Sequence, residues 1–272
     1  MNQQTAEAGI DYYPCQYGGS SLRFRGPAAS VEGAYTAVIG GSETFGRFVE
    51  DPFADQLAER TGLQVLNLGI MNGGLDVFVH DSALMDVVGG AEAVVIQVMG
   101  ANNLSNRFYR VHPRRNDRFL RQSNAMASLF PKVDFSDFAF TRHLLTALRD
   151  GHPDKFAMVE QELRAAWTAR MRSILTRIPG RKILLWIENQ NSAGLGPEPL
   201  FVTADMMQMV EDQVDVTVHC DVSAEVGPAH MDGMIYAPME RTAAAQMLTP
   251  AAHERVADAL VRVMKKTEDM AA

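Results

Sequence analysis

The chain has 272 residues, of which 47% are hydrophobic and 21% are charged, and its formal net charge at pH 7 is −8. This balance is that of an ordinary globular protein, and a chain of this length can bury a full core without covalent crosslinks. The negative net charge argues against nucleic acid as a general partner. No apolar run approaches the roughly 18 residues that a membrane span needs, so no membrane contact is expected.

The two cysteines and the start of the chain indicate a reducing compartment. Cys15 and Cys220 lie far apart in the sequence, and two cysteines cannot form a disulfide framework or a four-cysteine metal site. The first residues have neither the basic nor the apolar segment of a secretory signal. We therefore expect a cytoplasmic protein with no metal and no cofactor, because metal-ligand spacings and a dinucleotide fingerprint are also missing from the sequence. The sequence leaves open whether it forms a homo-oligomer.

Short apolar runs alternate with amphipathic stretches along most of the chain. This alternation predicts a three-layer α/β/α sandwich around a mainly parallel five-stranded sheet, as in flavodoxin-like folds. The predicted strands are residues 35–40, 64–68, 93–99, 182–187 and 214–219, and the predicted helices are residues 53–62, 75–88, 136–149, 155–178, 204–212 and 249–266.

The segment 104–153 interrupts this alternation with a run of arginines and then several phenylalanines. Because the α/β pattern resumes after it, we predict an insertion or cap within a single domain of residues 34–272. Residues 1–33 have no clear period but contain aromatic residues, glycines and prolines. We expect them to form an irregular lead-in that packs on the domain.

Ser42 directly follows a short predicted strand and the pair Gly40-Gly41. A strand that ends in a glycine turn and enters a helix places the turn at the carboxyl edge of a parallel sheet, where open α/β sheets bind ligands. A hydroxyl next to unpaired backbone N–H groups suits a nucleophile, and it equally suits a group that only holds an anion.

Three motifs follow three successive predicted strands, at residues 40–46, 67–73 and 100–103. In this order they resemble the blocks of the SGNH (GDSL-type) hydrolase superfamily, and the chain also looks like a group of bacterial SGNH-like proteins. The first block of the superfamily is Gly-Asp-Ser-x-Thr-x-Gly, and Gly41 stands here in place of its aspartate. The third is Gly-x-Asn-Asp, and Asn103 stands in place of its aspartate.

The resemblance implies an SGNH-like fold and assigns roles to residues in these motifs. Ser42 would be the nucleophile, and its N–H, an N–H of the second loop and the Asn102 side chain would form the oxyanion hole. Fixed donors of this kind stabilise the tetrahedral oxyanion of acyl transfer. The loop glycine of the superfamily falls one residue before Gly73 by a strict count from Asn67, so the second donor is Asn72 or Gly73; we assign Gly73.

The general base is where the sequence departs from the superfamily. The superfamily places an aspartate and a histidine three residues apart just before the last helix, and Ala244 and Met247 occupy these positions here. A serine needs a base to become a good nucleophile. His253, one turn inside the predicted last helix, is our candidate. The next candidate is His230, and the orienting acid is left open among Asp232, Glu240 and Glu254.

The functional prediction is therefore a serine esterase, deacetylase or acyltransferase that acts on a small or carbohydrate ester. Two alternatives stay open. One is a transferase that uses a phosphate or sulfate donor, as sulfotransferases do, although the chain has no P-loop motif. The other is a non-catalytic binding protein that keeps the SGNH-like fold after losing the base.

The arginines of the predicted cap are unusually dense for so acidic a chain. Six arginines and one acidic residue, Asp117, lie between residues 107 and 121. Three of them, Arg114, Arg118 and Arg121, are spaced as on one face of a helix. They form either a surface or subunit contact, or an anion site that selects a negatively charged substrate. The predicted substrate-binding residues are Arg107, Arg110, Arg114, Arg115 and Arg118.

Overall fold

The computed structural model describes residues 9–192 and 194–271, with side chains up to residue 265. The strands are β1 (Thr36–Gly40), β2 (Val65–Gly69), β3 (Ala93–Gln97), β4 (Tyr109–Val111), β5 (Phe119–Gln122), β6 (Arg181–Glu188) and β7 (Val216–Asp221). The α-helices are α1 (Ser42–Phe45), α2 (Phe53–Thr61), α3 (Leu75–His80), α4 (Ser82–Gly89), α5 (Asn124–Leu129), α6 (Thr141–Gly151), α7 (Pro153–Arg177), α8 (Ala204–Gln208), α9 (Arg241–Ala244) and α10 (Pro250–Ala271). Short 3-10 helices lie at Phe135–Asp137, Glu211–Gln213 and Pro238–Glu240.

Five strands form one parallel sheet in the order β2-β1-β3-β6-β7, which confirms the predicted fold class. The segment 104–153, called the cap below, lies between β3 and α7 and contains the antiparallel hairpin of β4 and β5 together with α5 and α6. Among the described residues, no helix is long and apolar enough to cross a membrane.

The central strands bury both of their faces. Val38 belongs to a cluster with Phe53 of α2 and Val256 of α10, whereas its neighbour Ile39 belongs to a second cluster with Trp167 of α7. Successive side chains of a strand point to opposite faces, so one strand contributes to both clusters. This explains why the central strands read as nearly continuous apolar runs in the sequence.

The lead-in is fixed to the domain by a buried arginine. Arg25 is 7% exposed, and its guanidinium donates to the carbonyl oxygens of Gly46 and Val49, each at 2.9 Å, and to that of Glu50. These carbonyls belong to the loop between α1 and α2, so the lead-in supports the chain just after Ser42. The first eight residues of the predicted lead-in lie outside the described residues.

The prediction of one continuous helix over residues 75–88 is wrong, because the structure has two helices there, α3 and α4. α3 ends at His80, and Asp81 adopts an extended backbone conformation with φ −105° and ψ 95°. Its carboxylate accepts the N–H of Leu84 at 2.9 Å and starts α4 as an N-cap. An aspartate that bonds to nearby backbone competes with the helix interior, which explains the break.

The helical spacing of the arginines after Pro113 does not correspond to a helix, because β4 and β5 form an antiparallel hairpin there. Tyr109 and Val111 are buried on either side of exposed Arg110, which is the period-two alternation of a strand. Arg110 faces Arg121 directly across the hairpin. The burial of aromatic and aliphatic side chains therefore outweighed the helical spacing of the charges.

His253 joins the first turn of α10 to the first turn of α2. It is 1% exposed, its Nδ1 accepts the N–H of Phe53 at 3.1 Å, and its ring stacks on the Phe53 ring at 5.7 Å. Burial, with a smaller contribution from Arg25, lowers the pKa of His253 from 6.5 to about 3. Because Nδ1 accepts a hydrogen bond, the neutral ring carries its proton on Nε2.

We expect His253 to make the free energy of unfolding fall as the pH is lowered from about 7 to about 5, at about 1.4 kcal/mol per pH unit below its unfolded-state pKa. The folded-state pKa of about 3 lies below the unperturbed value of 6.5, so the unfolded state binds more protons between these values and protonation favours unfolding. Urea unfolding of wild type and His253→Gln over this range measures the effect.

Both proteins contain Asp55, so the difference between their pH slopes of unfolding free energy gives the contribution of His253 alone. Asp55 has a side chain that is 47% exposed, and its partial desolvation, opposed by Arg25, raises its pKa from 3.8 to about 6. This carboxyl therefore contributes with the opposite sign over part of the same range. Equal pH slopes for wild type and His253→Gln would contradict the assignment of a buried, neutral His253.

Candidate active site

Ser42 is the first residue of α1, and a buried glutamine fixes the turn that carries it. Gln97, the last residue of β3, accepts the N–H of Gly41 at 2.9 Å and the hydroxyl of Thr44 at 2.7 Å on its side-chain oxygen. Its amide nitrogen donates to the carboxyl of Glu43 at 2.9 Å. One side chain of the neighbouring strand therefore holds the residues before and after Ser42.

Close packing requires the glycine that ends β1. A Cβ at Gly40 would lie 2.1 Å from the Thr44 hydroxyl and 2.4 Å from the Gln97 side-chain oxygen. The hydrogen bond between these two groups could not form beside a larger residue. The glycine turn of the sequence motif is thus needed to bring β1, α1 and β3 together.

The second loop presents a backbone N–H to the serine. The N–H of Asn72 donates to the Ser42 hydroxyl oxygen at 3.0 Å, and Asn72 has φ +57°, in the left-handed region that favours glycine. The N–H of Gly73, the predicted donor, instead donates to the carbonyl of Ile70 at 2.9 Å. The structure therefore places Asn72 rather than Gly73 at the serine, in agreement with the strict count from Asn67.

In the third loop, which follows β3, hydrogen bonds from the cap hold Asn102 and its neighbour Asn103 in place. Asn102 is 5% exposed, and its Nδ2 donates to the side-chain oxygen of Asn103 at 2.8 Å. The same oxygen accepts the hydroxyl of Thr141, in the first turn of α6, at 2.7 Å. The carbonyl of Asn102 accepts the Tyr109 hydroxyl at 2.7 Å. Two cap residues thus fix the residue predicted to stabilise an oxyanion.

Buried polar side chains also hold the remaining loop backbone. Asn116 of the hairpin turn is fully buried, accepts the N–H of Gly74 at 2.8 Å and donates to the carbonyl of His112 at 2.9 Å. Trp167 of α7 donates its indole N–H to the carbonyl of Met99 at 2.7 Å. The loops after β2 and β3 are therefore both anchored by the elements that follow β3.

Three charged residues that the sequence did not single out lie beside the serine turn. Burial raises the pKa of Glu43, nearby Glu198 raises it further, and Arg142 lowers it. Arg142, in the first turn of α6, forms an ion pair with Glu198. Glu198 also accepts the N–H of Leu200 at 3.0 Å, and the carbonyl of Leu200 accepts the N–H of Ala101 at 2.8 Å. The loop after β6 therefore packs against the third loop.

No histidine is hydrogen-bonded to Ser42 within residues 9–192 and 194–265. His253 uses its Nδ1 for the N–H of Phe53, as described above. His112, in the hairpin turn, likewise accepts backbone N–H groups with its Nδ1, at 3.2 and 3.3 Å. His230 is exposed, as is its neighbour Asp232. The structure thus does not join the serine to either predicted base.

Ala244 and Met247, which stand at the positions predicted from the resemblance for an aspartate and a histidine, lie in an apolar cluster. Ala244 and Met247 pack in a small cluster with Phe48, Met231 and Met234. The other two acids considered for orienting a base have surface partners, namely Glu240 with Arg47 at 3.1 Å and Glu254 with Arg60 at 3.9 Å.

The structure separates the six arginines between residues 107 and 121 into two groups. Three are engaged with neighbouring side chains, and three have exposed side chains without a hydrogen-bond or ion-pair partner among the described residues. The engaged arginines are Arg107 with Glu162 at 3.4 Å, Arg115 with Asp117 at 3.5 Å and Arg118 at 4.6 Å from the ring centre of Phe140; the others are Arg110, Arg114 and Arg121.

A cavity of about 520 Å³ lies within the cap, where Phe119, Phe130 and Phe138 line it. Neither Ser42 nor Asn102 is among its lining residues. The cavity is therefore not the space in front of the serine. In the part of the chain that the structure describes, no group of three histidine, cysteine, aspartate or glutamate side chains could hold a metal ion.

Comparisons with known proteins give a family and distant structural likenesses. No curated protein matches the chain. The crystal structure of a catalytic mutant of Axe2, an acetylxylan esterase from Geobacillus stearothermophilus, matches with 15% sequence identity and a TM-score of 0.43, over 85% of this chain and 93% of that one. A likeness of this extent carries no argument about activity. The family model described as "Domain of unknown function (DUF6473)" matches residues 1–268, and the chain belongs to this family.

Proposed function

We propose that the protein binds a small carboxylate, free or released from an acyl ester, at the Ser42 turn, and that it does not use Ser42 as a hydrolytic nucleophile. One observation carries the proposal. The Ser42 hydroxyl accepts the N–H of Asn72 at 3.0 Å, and no imidazole is bonded to it among the described residues. Among the described residues, the turn thus keeps donors for an oxyanion but has no base bonded to the serine, which serine catalysis needs.

Donors at the Ser42 turn, and Asn102 in the loop after the neighbouring strand β3, support an anionic or carbonyl oxygen as the bound group. The N–H of Ser42 has no acceptor within residues 9–192 and 194–265, and the Ser42 hydroxyl can donate its own proton. Nδ2 of Asn102 carries two hydrogens, of which the bond to Asn103 uses one. Donors that are fixed in a water-poor site bind an oxyanion more strongly than they would in water.

The alternative is an esterase, deacetylase or acyltransferase. It would need a group that takes the Ser42 proton as the acyl carbon is attacked. His253 does not support this role, because burial lowers its pKa to about 3 and its Nδ1 is engaged. Met247 stands where the superfamily has its histidine, and a thioether is not a base.

We expect a fluorophosphonate probe to label wild type no faster than Ser42→Ala, because an unactivated serine hydroxyl reacts slowly with phosphorus electrophiles. Intact-mass spectrometry over several time points gives the labelling rate of both proteins. Rapid labelling of wild type that Ser42→Ala abolishes would sink the binding proposal in favour of a serine hydrolase. His253→Gln would then decide whether that histidine is the base after all.

We expect Asn102→Ala to weaken carboxylate binding by about tenfold or more, because a hydrogen bond to a charged group contributes about 1.5–3 kcal/mol. Titration of acetate and of a sugar acid, followed by NMR chemical shifts of the backbone amides, gives the Kd and the location of binding. The matched control is Gln208→Ala, which removes an exposed amide side chain of α8. Equal affinities for Asn102→Ala and Gln208→Ala would contradict the assignment of the oxyanion donor.

A further inference from the structure

The cap hairpin places two arginines directly opposite one another. Arg110 of β4 and Arg121 of β5 are partners in the antiparallel register, and both are exposed. Cross-strand partners share one face of a hairpin, with Cβ atoms about 4.5–5.5 Å apart. Like charges in this arrangement destabilise the hairpin, so the free protein carries an electrostatic repulsion at this point.

Neither side chain has an acidic partner among the residues that the structure describes. The guanidinium groups of Arg110 and Arg121 have no ion pair or hydrogen bond with any residue that the structure describes, nor does that of Arg114 in the adjoining turn. The chain contains 33 acidic residues and has a net charge of −8. Other arginines of the cap do find partners, as Arg107 does with Glu162 at 3.4 Å. The positive charge at the hairpin is thus local and uncompensated.

The two arginines stand on a rigid base. Between them and the core, Tyr109 is fully buried, packs edge-on against Phe119 at 6.2 Å, and donates its hydroxyl to the Asn102 carbonyl. Val111 is buried on the same inner face. The backbone that carries the pair is therefore fixed before any ligand arrives, which reduces the entropy lost on binding.

We propose that Arg110 and Arg121 form an anion site for a phosphate or sulfate group. Two guanidinium forks side by side match the several oxygens of a tetrahedral oxyanion, which can accept bidentate hydrogen bonds from both. A bound dianion also attracts both guanidinium groups, and these two attractions offset the repulsion between the arginines. The site rests on the hairpin alone and does not depend on the function proposed for Ser42. A phosphate- or sulfate-dependent transferase would need such a site for its donor.

The test is a titration of pyrophosphate, followed by phosphorus NMR and by the backbone amide shifts of residues 109–122, at an ionic strength held constant with chloride. We expect saturable binding to wild type and at least a tenfold loss of affinity in Arg110→Gln and in Arg121→Gln. Arg23→Gln is the matched control, because Arg23 is exposed, has no partner among the described side chains and lies outside the hairpin.

Four outcomes would overturn the proposal. They are binding that does not saturate, equal losses in Arg23→Gln and the hairpin variants, unchanged affinity in both hairpin variants, and tighter binding of an oligonucleotide than of pyrophosphate. Glycerol phosphate and inorganic phosphate, titrated in the same way, distinguish a phosphoryl group on a larger molecule from the free ion.

A second measurement covers the case in which a hairpin variant folds poorly. In low salt and without an added anion, we expect Arg121→Gln to unfold at the same or a higher urea concentration than wild type, because it removes a like-charge contact. A clear loss of stability would mean that Arg121 supports the fold, which contradicts the absence of compensation on which the site rests.

Discussion

The hydrogen bonds of buried amide side chains hold the turn on which the candidate site depends. Gln97 of β3 binds the N–H of Gly41 and the hydroxyl of Thr44 from one side. From the other side, Asn67 of β2 donates to the carbonyl of Thr44 at 2.9 Å. An amide provides both an acceptor and two donors, so these two residues satisfy polar groups of β1 and α1 that the parallel sheet leaves unpaired. The position of Ser42 is thus set by its two neighbouring strands.

Buried hydrogen bonds also connect the cap to the loops that carry the candidate site, so the cap contributes to the structure of the site. Tyr109, Asn116 and Thr141 each bind a group in the loops after β2 and β3, and each is almost fully buried. Moving the cap away would leave buried donors and acceptors without partners, at a cost of about 1–3 kcal/mol for each. Since three such contacts act together, they hold the cap firmly against these two loops.

The sequence predicts most of the sheet because its signals are local. Five apolar runs give five strands, and the glycines before Ser42 give the tight turn, although the boundaries shift by a few residues, as with β7 at 216–221 where 214–219 was predicted. The sequence does not reveal the arginine hairpin, because the spacing of its charges fits a helix, whereas the burial of Tyr109 and Val111 decides its structure. Local patterns are overruled when tertiary packing favours another element.

The details of the site depend on contacts that are distant in sequence. His253 lies one turn inside a helix, as predicted, but its bond to Phe53 spans 200 residues, and nothing near either residue in the sequence signals it. Asn72 takes the place of a glycine in the left-handed region, which only its backbone conformation reveals. Arg142 approaches the serine turn because Thr141 anchors the start of α6 to Asn103. A count of residues between motifs could have favoured Asn72, whereas no such count could have found Arg142.

Arginines in the interior have hydrogen-bond or ion-pair partners, whereas Arg110 and Arg121 on the hairpin are exposed to water. Buried Arg25 donates to three backbone carbonyls and lies 3.7 Å from Asp55, and half-buried Arg170 binds Asp76 at 2.7 Å. A buried charge without such partners would be very costly, so the fold provides them. Arg110 and Arg121 are solvated instead, and water screens their repulsion to about 1 kcal/mol or less. The pair therefore persists in the free protein, and its hydrogen-bond donors stay available because no acidic side chain among the described residues binds them.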